Sequence, residues 1–125
     1  MFKISLRQKG KKAEELAIKY LKNKGYEIVS KNFYTRWGEI DLIAKKKNLL
    51  IFVEVKSQSG EKEYFPEEKV DFNKQRKILK TAEIFLLKNS KNLIKIKEIR
   101  LDVIVINLST EEIRHYEGAF FKEKF

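Results

Sequence analysis

The stretch GEIDLIAKKKNLLIFVEVKSQ, residues 38–58, places charged side chains in two runs that are otherwise apolar. Glu39 and Asp41 interrupt the first run, and Glu54 and Lys56 interrupt the second. Carboxylates clustered on a partly buried surface repel one another, so the cluster is costly unless a pKa rises or a cation neutralises it. A hard divalent cation with oxygen ligands is the natural partner, and Mg²⁺ suits a site that keeps waters and holds a phosphate. These side chains predict metal-assisted hydrolysis of a phosphodiester, with Lys56 orienting water or stabilising charge on phosphorus.

The alternation of side chains along a strand predicts where these groups point. Glu39 and Asp41 should share one face of the first strand, and the apolar Ile40 and Leu42 should share the other. On the second strand, Glu54 should lie on the opposite face from its apolar neighbours.

A hairpin between the two strands would bring the carboxylates together. If the hairpin turns at residues 46–47, facing positions have numbers that sum to 93, so Asp41 faces Phe52 and Glu39 faces Glu54. Asp41 and Glu54 are then diagonal neighbours, about 7–8 Å apart at Cα, and all the polar groups share one face. The alternative is an ordinary surface, because carboxylates and lysines on edge strands also prevent strands from aggregating.

The surrounding pattern predicts an α/β fold with a mixed sheet and helices on both faces. Apolar residues at helical spacing indicate a first helix that ends before Gly25 and a second from about Val70 to Lys88. The stripe of the second helix that should face the core consists of Phe72, Gln75, Ile78, Leu79, Ala82, Phe85 and Leu86. One proline and five glycines leave little room for a domain boundary, so residues 1–125 are predicted to form a single domain. The order of elements is helix, three strands, a charged loop at residues 61–68, helix, a nearly continuous apolar strand at IRLDVIVINL and a short last strand at EIRHYEGAF.

Charge indicates the class of partner. The chain has 28 Lys and Arg against 18 Asp and Glu, a net charge of +10, and residues 1–36 hold ten basic and three acidic side chains. A concentrated basic region attracts polyanions by counterion release, which favours nucleic acid. A lysine-rich surface typical of heat-adapted or AT-rich organisms is the alternative explanation.

Other function classes are excluded by composition. The chain has no cysteine, which excludes disulfides, thiolate zinc sites and thiol catalysis, and which fits a reducing compartment. The N-terminus MFKISLRQKGKK has no apolar signal region, and no window approaches the roughly 20 apolar residues of a membrane span. We therefore expect a soluble, cytoplasmic protein without a membrane partner.

The charged strands resemble those of the PD-(D/E)XK nuclease superfamily, and most closely its YraN-like branch, which is related to archaeal Holliday-junction resolvases. The resemblance spans about residues 13–120. It implies a restriction-endonuclease-like αβββαβ core, with Asp41 and Glu54 as metal ligands, the Val55 carbonyl as a further ligand and Lys56 as the catalytic lysine. Ile40 replaces the proline of the superfamily's name. The matching segments are AEELAIKYLKNKGYEIVSKN, GEIDLIA, FVEVKSQ, FPEEKVDFNKQRK and RLDVIVI.

The resemblance also implies residues that assist the site. An acidic residue on the first helix of the resolvase-like relatives corresponds to Glu14, as a further metal ligand. Helical spacing independently places Glu14 beside the apolar stripe, although a solvated glutamate is the alternative. Gln75 lies on the stripe of the second helix, where its amide needs a partner, either in the site or in a structural hydrogen bond. Glu39 is the second accessory residue.

Four further polar or aromatic residues are interpreted mainly as structural. Arg100 and Asp102 alternate with apolar residues on the central strand and are expected to form an ion pair. His115, the only histidine, is placed near a strand end and is not expected to be catalytic. Trp37 is interpreted as a loop or core anchor in preference to a base-stacking platform.

The favoured hypothesis is a Mg²⁺- or Mn²⁺-dependent endonuclease that acts on DNA, including branched or structured DNA. If it cuts both strands of a symmetric junction, we expect a homodimer. The alternative is a catalytically weak or inactive nucleic-acid-binding accessory protein in DNA repair, recombination or uptake. Restriction-like sequence-specific cleavage is disfavoured because little chain remains for target recognition. The expected phosphate contacts are Lys9, Lys11, Lys12, Arg36, Lys45, Lys46 and Lys47.

Overall fold

The computed structural model describes residues 6–60 and 72–119, without the side chains of residues 6, 7 and 9. They form one five-stranded mixed sheet with the strand order β1-β2-β3-β4-β5. All neighbouring strands are antiparallel except β3 and β4, which are parallel and are joined through a helix. The elements are α1 (Leu6–Asn23), β1 (Glu27–Thr35), β2 (Gly38–Lys46), β3 (Leu49–Gln58), α2 (Phe72–Lys88), a short 3-10 helix (Ser90–Leu93), β4 (Glu98–Asn107) and β5 (Ile113–Tyr116).

This order confirms the predicted αβββαβ core, mixed sheet and two flanking helices. Helix α1 covers one face of the sheet through Ala13, Ala17 and Leu21. Helix α2 covers the other face, where Phe85 meets Phe52 edge to face with ring centroids 5.9 Å apart. Each fully buried large side chain contributes about 1.5–3 kcal/mol of hydrophobic stabilisation, so these two layers hold the sheet rigidly. None of the described helices combines the length and apolar composition needed to cross a membrane.

The end of α1 shows why the chain turns into β1 where it does. Gly25 adopts a positive φ of 94°, which glycine reaches without the strain that a side chain would add. The Tyr26 N–H donates to the Leu21 carbonyl at 2.9 Å, and the Gly25 N–H donates to the Lys22 carbonyl at 3.0 Å. This is the Schellman arrangement, and it satisfies carbonyls that the helix end leaves without partners.

The register of the β2–β3 hairpin differs from the predicted one. Lys46 pairs with Leu49 and Leu42 pairs with Val53, so facing numbers sum to 95 and the turn lies at residues 47–48. Lys47 takes the positive φ of 56° that the turn requires, and the Asn48 carbonyl accepts hydrogen bonds from the start of β4. Because both sums are odd, residues expected to share a face still share it within the paired stretch, which ends at Leu42 and Val53. Extended past that pair, the observed register would place Asp41 opposite Glu54 instead of diagonal to it.

Side-chain alternation along β2 also departs from the prediction. Ile40 packs in the cluster under α2, whereas Leu42 packs in the cluster under α1, although the two were expected to share a face. The β2–β3 pairing ends at Leu42, so the backbone between these residues is released from the regular ladder. The break in alternation falls at Asp41.

The second helix is observed from Phe72 to Lys88, and the predicted start at Val70 lies outside the described residues, as does the charged loop at residues 61–68. Ile78, Ala82 and Phe85 are buried as predicted. Phe72 was expected on the same stripe, but 70% of its surface is exposed. It is the first described residue of the helix, and it lies beyond the part of α2 that contacts the sheet.

Candidate active site

At the centre of the candidate site, the Asp41 side chain takes the place of a backbone hydrogen-bond acceptor between β2 and β3. Beyond Leu42 the β2–β3 ladder stops, and the Val55 N–H donates instead to Asp41 Oδ2 at 2.8 Å. Continuing the register places Glu54 directly opposite Asp41. Two carboxylates are thus held on adjacent strands at the point where the strands separate.

The same geometry orients the Val55 carbonyl. In an extended strand the N–H and the carbonyl of one residue point toward the same neighbouring strand. Because the Val55 N–H points to Asp41, the Val55 carbonyl is directed to the same side, past the end of the ladder. Its predicted role as a ligand is consistent with this direction and stays a prediction.

Glu54 is held between two ammonium groups. Its side chain is only 10% exposed, and its Oε1 lies 3.3 Å from Lys56 Nζ and 3.1 Å from Lys74 Nζ. Lys74 reaches the strand from the first turn of α2. Sequence analysis did not single out Lys74, although it lies within the quoted FPEEKVDFNKQRK segment, because only the tertiary fold shows which face of the helix meets Glu54.

Burial and neighbouring charges shift the pKa of a carboxyl and of an amine in the site. Burial raises the pKa of Asp41 to about 7, the negative charges of Glu54, Glu14 and Glu39 add to this shift, and the Val55 N–H opposes it. Burial lowers the pKa of Lys56 below its usual range, assisted by the neighbouring ammonium of Lys74 and opposed by Glu54. Near neutral pH, the site therefore holds a carboxyl that readily exchanges a proton and an amine that gives its proton up more easily than usual.

Glu14 approaches the same site from α1 and is fixed by Asn32. The Asn32 Nδ2 donates to Glu14 Oε1 at 3.1 Å. Burial raises the pKa of Glu14, and the charges of Glu39 and Glu54 add to the shift while Lys31 opposes it. Asn32 has a positive φ of 51°, and its Oδ1 is buried without a hydrogen-bond partner among the described atoms. The fold alone does not explain an asparagine that combines a positive φ with a buried oxygen lacking a hydrogen-bond partner, and no pattern in the sequence predicted it.

The oxygen-rich donor set fits a hard divalent cation. Asp41, Glu54 and Glu14 supply carboxylates, and the pKa of Asp41 is raised by burial and by the charges of the other two and of Glu39. Within residues 6–60 and 72–119, however, no three Asp, Glu, His or Cys side chains are close enough together to hold a metal ion as they stand. A cation would have to draw these groups together and displace a lysine from Glu54.

The predicted four-residue polar face is only partly formed. Glu54 and Lys56 lie toward α2, as their contacts with Lys74 show. Glu39 instead lines a cleft of about 600 Å³ beside α1, together with Glu14 and the exposed Tyr34. The polar groups therefore lie around the gap between the strands and not on one flat face, because β2 loses its alternation at Asp41. Gln75 is half-buried next to Lys74, and its accessory role stays a prediction.

The predicted basic contacts divide into two groups. Lys11 lines the cleft beside Glu14, Lys12 is exposed on the same helix, and Arg36 lies on the β1–β2 turn at the site's end of the hairpin. Lys45 to Lys47 lie at the other end of the hairpin, about 13–20 Å from Asp41 at ~3.3 Å per residue. Lys46 donates to the Lys24 carbonyl at 2.7 Å, so it also closes the end of α1. The side chain of Lys9 lies outside the described residues.

A second polar network lies away from this site, and it confirms the predicted ion pair of Arg100 and Asp102. Asp102 is fully buried and accepts bonds from Arg100 Nε at 2.8 Å, Arg100 Nη2 at 2.9 Å and the Gly118 N–H at 3.0 Å. His115 Nε2 lies 2.7 Å from Asp102 Oδ2, and His115 Nδ1 lies 3.0 Å from the Tyr20 hydroxyl. The tautomer with hydrogen on Nε2 satisfies each of these groups. His115 therefore ties β5 to β4 and α1.

Sequence comparisons match most of the chain to one protein family. The model of "Uncharacterised protein family UPF0102" matches residues 13–106. A UPF0102 protein of Persephonella marina is 43% identical over 112 residues, which cover 90% of this chain and 92% of that protein. A UPF0102 protein of Fervidobacterium nodosum is 54% identical over 108 residues, which cover 86% of this chain and 77% of that protein.

Among solved structures, SfsA of Pyrococcus furiosus in complex with Ca²⁺ is similar at 20% identity and a TM-score of 0.39. The match covers 91% of this chain and 64% of that one. A likeness this distant carries no inference about activity or ligands.

Proposed function

The chain belongs to the uncharacterised protein family UPF0102, the YraN group of PD-(D/E)XK nuclease-like proteins, and on that premise we propose that it is a metal-dependent endonuclease acting on DNA. The observation that carries the proposal is the hydrogen bond from the Val55 N–H to Asp41. It holds Asp41 against β3 at Val55, the neighbour of Glu54, and directs the Val55 carbonyl toward the same gap. A cation bound there would draw these three oxygen donors together.

Asp41, Glu54 and the Val55 carbonyl would hold Mg²⁺ or Mn²⁺, with Glu14 as a further ligand from α1. The ion would neutralise charge on the phosphodiester and lower the pKa of a bound water. Asn32 would keep Glu14 oriented through its amide.

The two lysines would do different work. Lys56, whose pKa is lowered by burial, would orient the attacking water and help to remove its proton. Lys74 contacts Glu54 from α2 and would be released when a cation takes its place. A released ammonium at the mouth of the site would bind a phosphate oxygen and stabilise the charge that develops there.

The net charge of +10, together with Lys11 and Lys12 near the start of α1 and Arg36 on the β1–β2 turn, supports a polyanionic substrate. Branched or structured DNA is the substrate class that the resolvase-like resemblance implies. Cleavage of both strands at a symmetric junction would require two sites related by a two-fold axis, so we propose a homodimer for that activity.

The second candidate is a nucleic-acid-binding accessory protein with little or no turnover. It is favoured by the two lysines on Glu54 and by the absence of a three-ligand cluster within residues 6–60 and 72–119. In that case Glu54 would stay paired with Lys56 and Lys74, and no cation would displace either lysine.

Cleavage of a labelled panel tests the two candidates. Four-way junction, flap, duplex and single-stranded DNA would be incubated with Mg²⁺ or Mn²⁺ and wild-type protein, Glu54→Gln or Lys56→Ala. We expect metal-dependent cleavage of at least one substrate by wild type, and a loss of about 100-fold or more in each variant. Glu83→Gln, which changes an exposed carboxylate on α2, should cleave like wild type. Binding without cleavage by wild type would favour the accessory protein.

A further inference from the structure

A basic cleft lies beside the candidate site, between the β1–β2 turn and α2. It has a volume of about 250 Å³ and is lined by Trp37, Asn73, Arg76, Lys77 and Lys80, and we call it the Trp37 cleft. Lys80 Nζ lies 3.9 Å from the centroid of the Trp37 ring. The tryptophan thus holds a cation at the wall of the cleft.

Among the described residues, the cations of the Trp37 cleft have no carboxylate partner. Arg36 joins it from the turn, with its Cζ 4.9 Å from the Trp37 ring centroid. Across the described part of the chain, Arg36, Arg76, Lys77 and Lys80 form no ion pair, and no carboxylate lines the cleft. Four unbalanced cations around one cavity repel one another, and a polyanion would relieve that repulsion.

The walls of the cleft are fixed to each other. The backbone N–H of Trp37 donates to Thr35 Oγ1 at 3.1 Å, and Thr35 Oγ1 lies 3.1 Å from Thr81 Oγ1. The Thr81 hydroxyl donates in turn to the Lys77 carbonyl at 2.8 Å. This chain of hydrogen bonds joins the turn to α2, so the tryptophan and the helical cations keep a set spacing.

Helix α2 connects the cleft to the candidate site. Asn73, Arg76, Lys77 and Lys80 follow the i, i+3, i+4, i+7 spacing of one helix face. Lys74, on the adjoining face, contacts Glu54. From Lys74 to Lys80 the helix rises about 9 Å, so the two ammonium groups can contact different phosphates of one strand. A strand with one phosphate at Lys74 would therefore place its next phosphates in the cleft.

Two exposed aromatic rings flank the site and indicate the form of the nucleic acid. Tyr34 and Phe72 are each 70% exposed, Tyr34 on the side of Glu39 and Phe72 one turn from Arg76. Stacking on a protein ring requires a base with a free face, which bases in a continuous duplex lack. Exposed apolar rings at both sides of a basic path are typical of surfaces that bind single strands.

We propose that the Trp37 cleft binds the backbone of a single-stranded polynucleotide, and that Tyr34 and Phe72 stack its unpaired bases on either side of the candidate site. Placing the reacting phosphate at Glu54 and Lys74 rests on the proposed function. Binding of the strand by the cleft and the rings does not depend on turnover.

Fluorescence anisotropy in EDTA tests the cleft, with labelled single-stranded DNA, single-stranded RNA of the same sequence and the matched DNA duplex. The triple substitution Arg76→Ala, Lys77→Ala and Lys80→Ala should weaken single-strand binding at least tenfold, and should lower the salt slope by about two. A matched triple substitution, Lys19→Ala, Lys22→Ala and Lys88→Ala, removes the same charge elsewhere and should cost less than threefold. Equal losses in the two triple variants would overturn the role of the cleft.

The aromatic part is tested with Tyr34→Ala and Phe72→Ala, and with Tyr34→Phe and Phe72→Tyr as ring-retaining controls. Each alanine variant should weaken single-strand binding about fivefold or more, with duplex binding unchanged and the controls near wild type. Equal effects on duplex and single strand would contradict the stacking role. Whichever of DNA and RNA binds more tightly identifies the class of strand.

Failure of this inference and failure of the proposed function can be told apart. If the wild-type protein binds single strands through the cleft but cleaves nothing with Mg²⁺ or Mn²⁺, the endonuclease proposal fails and the inference stands. If the protein cleaves DNA while the cleft and ring variants bind like wild type, the inference fails and the endonuclease proposal stands.

Discussion

Replacing Asp41 with asparagine is expected to make the metal-free protein more stable at pH 8, although it removes a residue of the candidate active site. Asparagine keeps an oxygen that accepts the Val55 N–H and carries no charge to repel Glu54. The folded-state pKa of Asp41 is raised to about 7 from 3.8, so its ionisation costs roughly 4 kcal/mol at most. We expect a gain of about 1–3 kcal/mol in the free energy of unfolding, or several degrees in Tm.

The sign of the pH dependence follows from the same shift. A carboxyl with a raised folded-state pKa binds its proton more tightly in the folded protein, so its contribution lowers stability as pH rises from about 4 to about 7. The difference in Tm between Asp41→Asn and wild type should therefore grow over this range in EDTA and level off above it. Glu83→Gln, at an exposed position, should show no such difference. A variant less stable than wild type at pH 8 would contradict the account.

Replacing Asp102 with asparagine is expected to have the largest effect on folding. Burial disfavours the charge of Asp102, but hydrogen bonds from His115, Arg100 and Gly118 outweigh it and hold the pKa of Asp102 below its usual range. Asparagine would turn an amide N–H₂ toward groups that donate and would leave the Arg100 guanidinium poorly neutralised. Breaking one partner of a buried pair costs about 3–5 kcal/mol.

Urea denaturation of the Asp102→Asn variant measures this loss. The matched control is Glu112→Gln, which removes an exposed partner of Arg114 at 3.9 Å and should cost less than about 0.5 kcal/mol. A loss below about 1 kcal/mol in Asp102→Asn would show that the network contributes little. Because the depressed pKa makes the Asp102 contribution vanish as pH falls below about 4, the gap between variant and wild type should narrow in acid.

The spacing of apolar residues along the sequence was sufficient to predict the helices, the strands and their order. The helical stripe of α1 and the apolar run of β4 predicted their elements, since both patterns depend only on which side chains face the core. An odd sum of facing residue numbers in the β2–β3 hairpin was enough to predict that Asp41 and Glu54 lie close together. The exact register was missed, because the turn at Lys47 depends on a positive φ and on contacts with β4 that a hairpin pattern does not contain.

The supporting residues of the site could not be predicted in the same way. Asn32 and Lys74 lie on different elements from the carboxylates they contact, so their roles depend on how β1 and α2 pack. His115 was correctly kept apart from the site, but its bonds to Asp102 and Tyr20 span three elements. Such contacts follow from the tertiary fold and leave no periodic signal in the sequence.

The central claim is that the carboxylates at the gap between β2 and β3 form a divalent-cation site, and calorimetric titration of Mn²⁺ into the metal-free protein tests it most directly. Wild type and Glu83→Gln should bind Mn²⁺ with the same affinity. Asp41→Asn, which is expected to fold more stably, should bind at least about tenfold more weakly because it lacks a ligand charge. Equal Mn²⁺ binding by wild type and Asp41→Asn, or no binding by either, would contradict the account.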